Sequence, residues 1–288
     1  MTRGGIWVNE KVAITSVVAI GENTHRYLEK IKERMTLEET DVRDWNEMFE
    51  YGLKISQFNF ISANVDLNSS VIKEIINDIP VCFLIIDADD SKYLNYTRQL
   101  GDYIRTLDCG LSIALVLGIY NNTLPSKDII KELYSHVDVI IELDTLATDD
   151  SGKVNAAYNI IRGINSTLVK PLLCGFDLAD LHLHLKSSGL LQVAWAIENS
   201  ELDSSYSETL QIATQSALEV LKKRVIVEEV RSVFLFIEGR DTALNIIDIE
   251  KSIMMGNNTF PESVMEWVGS TSKTIGNEVR VLLGAAYA

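Results

Sequence analysis

Carboxylates gather at two places in the chain where their spacing could do chemistry. Asp177 and Asp180 lie three residues apart just after Pro171, and Asp87, Asp89 and Asp90 crowd behind the apolar run Val81 to Ile86. By residue type alone, Asp177 and Asp180 suit a helix start, where acids accept free backbone amides and face the positive end of the helix dipole. Three acids behind Ile86 would repel a polyphosphate unless a divalent cation bridged them. His182 and His184 are potential metal ligands, but at i and i+2 of a helix they point to different faces, so no shared site is expected. Cys82, Cys109 and Cys174 are widely spaced with no Cys-x-x-Cys, so buried free thiols are expected in place of a disulfide framework or a zinc site. No Ser/His/Asp or Cys/His set stands out, and no catalytic nucleophile is assigned.

The elements that must position these groups alternate regularly. Val12 to Ile20 is a nearly unbroken apolar and β-branched run, the pattern of a strand covered on both faces, and it leads through Gly21 into a helix from Glu22 to Met35. Strand, tight turn and helix is the unit in which α/β domains bring backbone amides up to phosphates, and Gly21 and Asn23 belong to that turn. Asn64 and Asp66 follow a strand through Phe58–Ile61 and precede a helix from Ser69 to Ile76, positions where turn chemistry favours both residue types. Val81–Ile86, Leu111–Leu117 and His136–Ile141 read as further strands, with helices at Asn95–Leu107 and Lys127–Ser135 between them, which predicts a mostly parallel sheet. Val154, Ala157, Ile161, Ile164 and Leu168 then form one stripe of a long helix that Pro171 ends. Beyond Asp180 the order is strand Gly189–Ile197, helix Ser205–Lys223, strand Arg231–Glu238, helix Ile246–Met255 and closing strands to Ala285. The expected organisation is an α/β domain over 1–152, a central helix over 153–171 and an α+β domain over 172–288.

Composition bounds the function. The chain has 288 residues, 47% hydrophobic and 23% charged, the profile of a globular protein long enough for two cores. A formal charge of −15 with only Lys222-Lys223-Arg224 as a basic triplet argues against a nucleic-acid groove. The longest uncharged stretch, Cys109 to Ser126, contains Asn121, Asn122 and Pro125 and is too short in apolar residues to span a bilayer. Arg3, Gly4, Gly5, Glu10 and Lys11 leave no long apolar segment at the start, so a cytoplasmic chain without membrane insertion is expected.

Several strings, taken in order, resemble those of the tubulin/FtsZ superfamily. Leu172 to Asp180 resembles the activating loop Asn-x-Asp-x-x-Asp, with Asp177 and Asp180 matching and Gly175 in place of Asn. Phe58 to Asp66 resembles the strand that ends in Ala-x-Asn-Thr-Asp, with Asn64 and Asp66 matching. Glu132 to Asp138 resembles Leu-x-x-His-Val-Asp, and Trp267–Ser270 with Asn277–Val281 resembles the last hairpin of FtsZ. The family's signature glycine loop is replaced by Asp87-Ala88-Asp89-Asp90-Ser91-Lys92-Tyr93, without a glycine.

That resemblance implies a tubulin/FtsZ-like fold: a parallel-sheet domain of nucleotide-binding type, a long central helix and an α+β C-terminal domain. It implies catalytic roles for Asp177 and Asp180 on a neighbouring subunit's site, and nucleotide contacts at Gly21, Asn23, Asn64, Asp66 and Asn155, the last facing the guanine edge. GTP would be the cofactor, with magnesium only if the nucleotide binds. The departure at Asp87–Tyr93 implies weak or lost GTP binding in a cytoskeletal or cell-division protein that assembles with itself or with a true FtsZ. Two rival readings are an active GTP-hydrolysing filament protein with a rebuilt site, and a ligand-binding α/β module that forms no filament.

Overall fold

A computed structural model describes residues 15–41, 56–62, 65–76, 79–89, 91–107, 110–118, 126–169, 172–173, 178–186, 188–200, 206–272 and 275–287, with 36–41, 56, 69, 126 and 127 at backbone level only. The apolar runs become the strands of one nine-stranded sheet in the order β2-β1-β3-β4-β5-β6-β9-β7-β8. β1 (Thr15–Ile20), β2 (Ser56–Ile61), β3 (Val81–Asp87), β4 (Leu111–Leu117) and β5 (Val139–Glu142) are parallel to their neighbours. β1, β3 and β4 are buried along their whole length, because helices cover both faces. On one face α1 (Glu22–Asp41) and α5 (Asp150–Val169) pack over Val17, Ala19, Phe83, Ile85 and Leu115. On the other, α2 (Ser69–Ile76), α3 (Ser91–Arg105) and α4 (Ser126–Tyr134) cover Val18, Ile20, Leu84, Ile86 and Val116.

β6 (Gly189–Asn199) continues the sheet, parallel to β5 through Gly189 and Leu190 and then antiparallel to β9 (Glu278–Tyr287). β7 (Val230–Arg240) lies between β9 and the edge strand β8 (Val264–Ser272). The expected closing hairpin is therefore not formed. The chain crosses from β7 through α8 (Ile246–Thr259) to a parallel β8 and then returns to place β9 between β6 and β7, where both its edges are hydrogen-bonded. α7 (Tyr206–Lys222) and α8 close a separate cluster over Val233, Leu235, Val281 and Leu283. The apolar stripe of α5 is buried at Val154, Ala157, Ile161 and Ile164 and touches both halves of the sheet, with Leu282 of β9 lying against Gly163.

Three boundaries differ from the sequence expectation for local reasons. α5 starts at Asp150 in place of residue 153, and the Asp149 carboxylate accepts from the Gly152 amide at 2.8 Å. β5 starts at Val139, because Asp138 turns its side chain inward to accept from the Ser112 amide at 3.0 Å and hydroxyl at 2.8 Å. α3 starts at Ser91, inside the stretch Asp87–Tyr93 and four residues before the expected Asn95. His136 ends the turn after α4 with Nδ1 2.8 Å from Asp102, as a helix-end residue should. Cys82 is a buried free thiol that burial pushes up to about 12, while Cys109 and Cys174 fall outside the described residues.

α7 and α8 meet along a polar seam. The Ser207 hydroxyl donates to Asp248 at 2.5 Å, Lys251 Nζ lies 3.2 Å from the same carboxylate, and the Asn245 side chain caps α8 and donates to Asp248 at 2.6 Å. Burial raises the Asp248 carboxyl, but the Ser207, Lys251 and Asn245 partners outweigh it and hold it below the usual range. Its contribution to stability is thus complete above the unfolded aspartate pKa near ~3.9 and is lost as pH falls through the lower folded value. Asp248→Ala is expected to cost about 2 kcal/mol at neutral pH, the scale of hydrogen bonds to a charged group, measured by urea unfolding. The gap between wild type and variant should narrow below that pH.

Candidate functional site

The strand order β2-β1-β3-β4-β5 reverses its direction of winding between β1 and β3. In open α/β sheets of this kind ligands bind in the crevice at the carboxyl ends of the strands at that reversal. Gly21 closes β1 there, and its amide donates to Ile61 O of β2 at 3.0 Å. Its φ of +105° lies in the region that glycine tolerates and other residues do not. A Cβ added at Gly21 would sit 2.8 Å from Cδ2 and Cε2 of Tyr93, so the space that an absent side chain leaves open is filled by a ring from the first turn of α3.

Asp87 ends β3 and is buried, with 5% of its surface exposed. Its carboxylate accepts from Asn23 Nδ2 at 2.6 Å and from the Asp89 amide at 3.1 Å. Gly118, directly after β4, lies against both acids. A Cβ there would be 2.8 Å from Asp87 Oδ1 and 3.0 Å from Asp89 Cγ, and its φ is +79°. Glu142 at the end of β5 and Asp144 just beyond it complete the acidic wall, and Lys153 of α5 forms an ion pair with Asp144. Burial, then Asp87 and Asp144, push the Asp89 carboxyl up, and burial followed by Asp144 does the same for Glu142. A carboxyl raised by folding weakens the fold as pH rises through its folded pKa. Asp89→Asn is accordingly expected to raise the thermal midpoint at pH 7, an advantage that fades as the pH approaches the unfolded value near ~3.9. Scanning calorimetry at the two pH values checks it.

On the side of the crevice towards α5, contacts join α1 to the start of the central helix. Tyr27 donates to Asp150 at 2.7 Å, and Arg26 pairs with the same carboxylate at 2.7 Å. Burial and this bond push the Tyr27 hydroxyl up, while the Tyr27 bond chiefly holds the Asp150 carboxyl down. Two turns further along α1, Arg34 donates to Asn155 Oδ1 at 3.1 Å and lies over the Tyr158 ring at 5.5 Å.

Among the sequence-predicted residues, Gly21 and Asn23 meet in the crevice, and Asn23 is engaged there by Asp87. Asp66 is exposed beyond β2, and Asn64 lies outside the described residues. Asn155 is exposed on α5 and engaged by Arg34. Asp180 sits half-buried in the first turn of α6 (Leu178–Leu185), and Asp177 lies outside the described residues. α6 is at the other end of the sheet: His182 Nε2 is 3.2 Å from Gly110 O before β4, and the Gly189 amide donates to Asp138 O before β5. Asp180 and Gly21 therefore belong to opposite ends of the molecule, not to one site within a chain. His184 faces Glu266 at 3.5 Å, so the two histidines diverge as their spacing requires. Tyr93 and Gly118 were not singled out from the sequence. The glycine directly after the Leu111–Leu117 run was the available signal for one, and nothing local marked the other.

The Tyr93 ring fills the space beside Gly21, and the amide of Asp89 donates to Asp87. Among the described residues no group of three His, Cys, Asp or Glu could by itself hold a metal ion. No helix among the described residues is long and apolar enough to cross a membrane.

A parallel sheet with a reversal at β1/β3, a long helix bridging to antiparallel strands and a second pair of helices make up a tubulin/FtsZ-like fold. Solved structures of that fold match nearly the whole chain. The FtsZ dimer of M. jannaschii superposes with a TM-score of 0.67 at 14% identity, covering 96% of this chain and 88% of that one. CetZ1 of Haloferax volcanii, a GDP-bound monomer, gives 0.63 at 11% identity over 95% and 94%. GDP-form protofilaments of Bacillus thuringiensis serovar israelensis TubZ give 0.55 at 9% identity over 95% and 85%. No family model matches the chain, and no curated protein matches it.

Proposed function

We propose that this chain is a tubulin-like assembly protein that binds GTP weakly or not at all, and that it assembles with copies of itself or with a true FtsZ. Residues 1–152 then act as a degenerate GTP-binding-type domain, 153–171 as the connecting helix and 172–288 as the activation domain, in a cytoplasmic setting. The observation that carries this reading is the switch-point crevice, where the Asp87 carboxylate and the Tyr93 ring take the room and the donors that phosphates need. The solved relatives include an FtsZ dimer and TubZ protofilaments, which supports assembly as the shared property.

In this reading Asp180, at the amino end of the sheet, and Asp177, which precedes it in sequence, act on a neighbouring molecule's site and not on their own crevice. In a head-to-tail contact a subunit with acids at one end and a blocked crevice at the other completes its neighbour's site without presenting a loaded one of its own. Titration calorimetry with Mg-GTP should give no binding in the micromolar range. Mixing with a GTP-binding FtsZ from the same cell should change GTP turnover and sedimentation, and Asp177→Ala with Asp180→Ala should abolish the change in turnover. Micromolar GTP affinity would instead establish a rebuilt site. A monomer that leaves FtsZ unaffected and does not sediment alone would establish the non-filament module.

A further inference from the structure

We infer that the Asp87 carboxylate is a built-in anion that holds the switch-point crevice closed, taking donors that would otherwise be open to an external oxyanion. The inference rests on the reading above, that the crevice holds no nucleotide. A carboxylate withdrawn this far from water needs hydrogen-bond donors to replace the water it has lost. Asp87 has two, both at the place where an α/β sheet presents amides to a ligand. One is the Asn23 side-chain amide in the first turn of α1, at 2.6 Å, and the other is the backbone amide of Asp89, at 3.1 Å. A helix N-terminus adds a favourable potential for negative charge on the α1 side.

The fit around the carboxylate is close. Gly118 approaches with no side chain, and a Cβ at that position would lie 2.8 Å from Asp87 Oδ1. Gly21 is closed in the same manner by the Tyr93 ring. The crevice is thus filled from within by an acid on β3 and an aromatic ring on α3. The consequence is a fold whose stability is independent of added oxyanions in the wild type, and dependent on them once the internal acid is removed.

The test is anion rescue. Full-length wild type, Asp87→Ala and Asp87→Asn are melted in sodium chloride, sodium formate and sodium phosphate at equal ionic strength. Wild type should melt at the same temperature in all three once the general effect of each salt, measured on a control at the exposed Glu250 of α8, Glu250→Ala, is subtracted. Asp87→Ala should melt about 5 °C or more lower in chloride, and formate or phosphate should return about half of that loss. Asp87→Asn keeps an acceptor but lacks the charge, so it should fall between the two and gain less. Equal anion responses in wild type and both variants would overturn the inference. If Asp87→Ala does not fold in any salt, Asp87→Asn decides alone: no anion-specific gain in it counts against the built-in anion. Micromolar Mg-GTP binding by wild type overturns the functional reading itself, an outcome separate from failed rescue.

Discussion

Arg162→Ala and Glu238→Ala should each lower stability by about 3–5 kcal/mol, the cost of leaving one member of a buried ion pair without the other. Arg162 projects from the middle of α5 and Glu238 from β7, and the pair they form is 8% and 3% exposed respectively. It ties the central helix to the strands beyond it, beside the contact of Gly163 with Leu282. Urea unfolding of the two single variants and of Arg162→Leu with Glu238→Leu separates the explanations. The double variant removes both charges and fills the space with apolar atoms, so it should recover most of the loss. A double variant as unstable as the sum of its parts would mean that each residue acts through separate contacts.

Gly21→Ala should cost about 3 kcal/mol, combining a left-handed backbone with an overfilled contact. The φ of +105° penalises any Cβ, and the Tyr93 ring stands 2.8 Å from where that atom would go. Adding Tyr93→Ala to Gly21→Ala removes the overlap but not the backbone strain. The double variant should therefore be less destabilised than the sum of the two single changes. Strict additivity in thermal or urea melts would show that the ring yields freely and does not seal the crevice.

The fold subdivides into parts that local pattern dictates and parts that it does not. β3 and β4 follow their continuous apolar runs, α2 spans Ser69–Ile76 as its signals indicate, and α5 buries the stripe read from Val154 to Ile164. The order of elements from β6 to β9 was equally legible, since period and turn residues are properties of neighbouring positions. Side-chain direction told the same local story at His182 and His184. Strand pairing did not follow in this way: β8 and β9 are adjacent in sequence but separated in the sheet by β7.

What the sequence by itself determined was the alternation of strands and helices, the apolar faces that had to be covered, and the crowding of Asp87, Asp89 and Asp90 behind the Val81–Ile86 run. Only the tertiary structure decided what Asp87 and Asp89 do. Asn23 and Asp87 are 64 positions apart, Arg162 and Glu238 lie on different layers, and Gly21 meets Tyr93 through the packing of α3 on the sheet. It also decided that Asp180 and Gly21 sit at opposite ends of the strands. Contacts of this kind arise when distant segments are brought together and water is excluded between them, and no pattern within a single segment records which partner that will be.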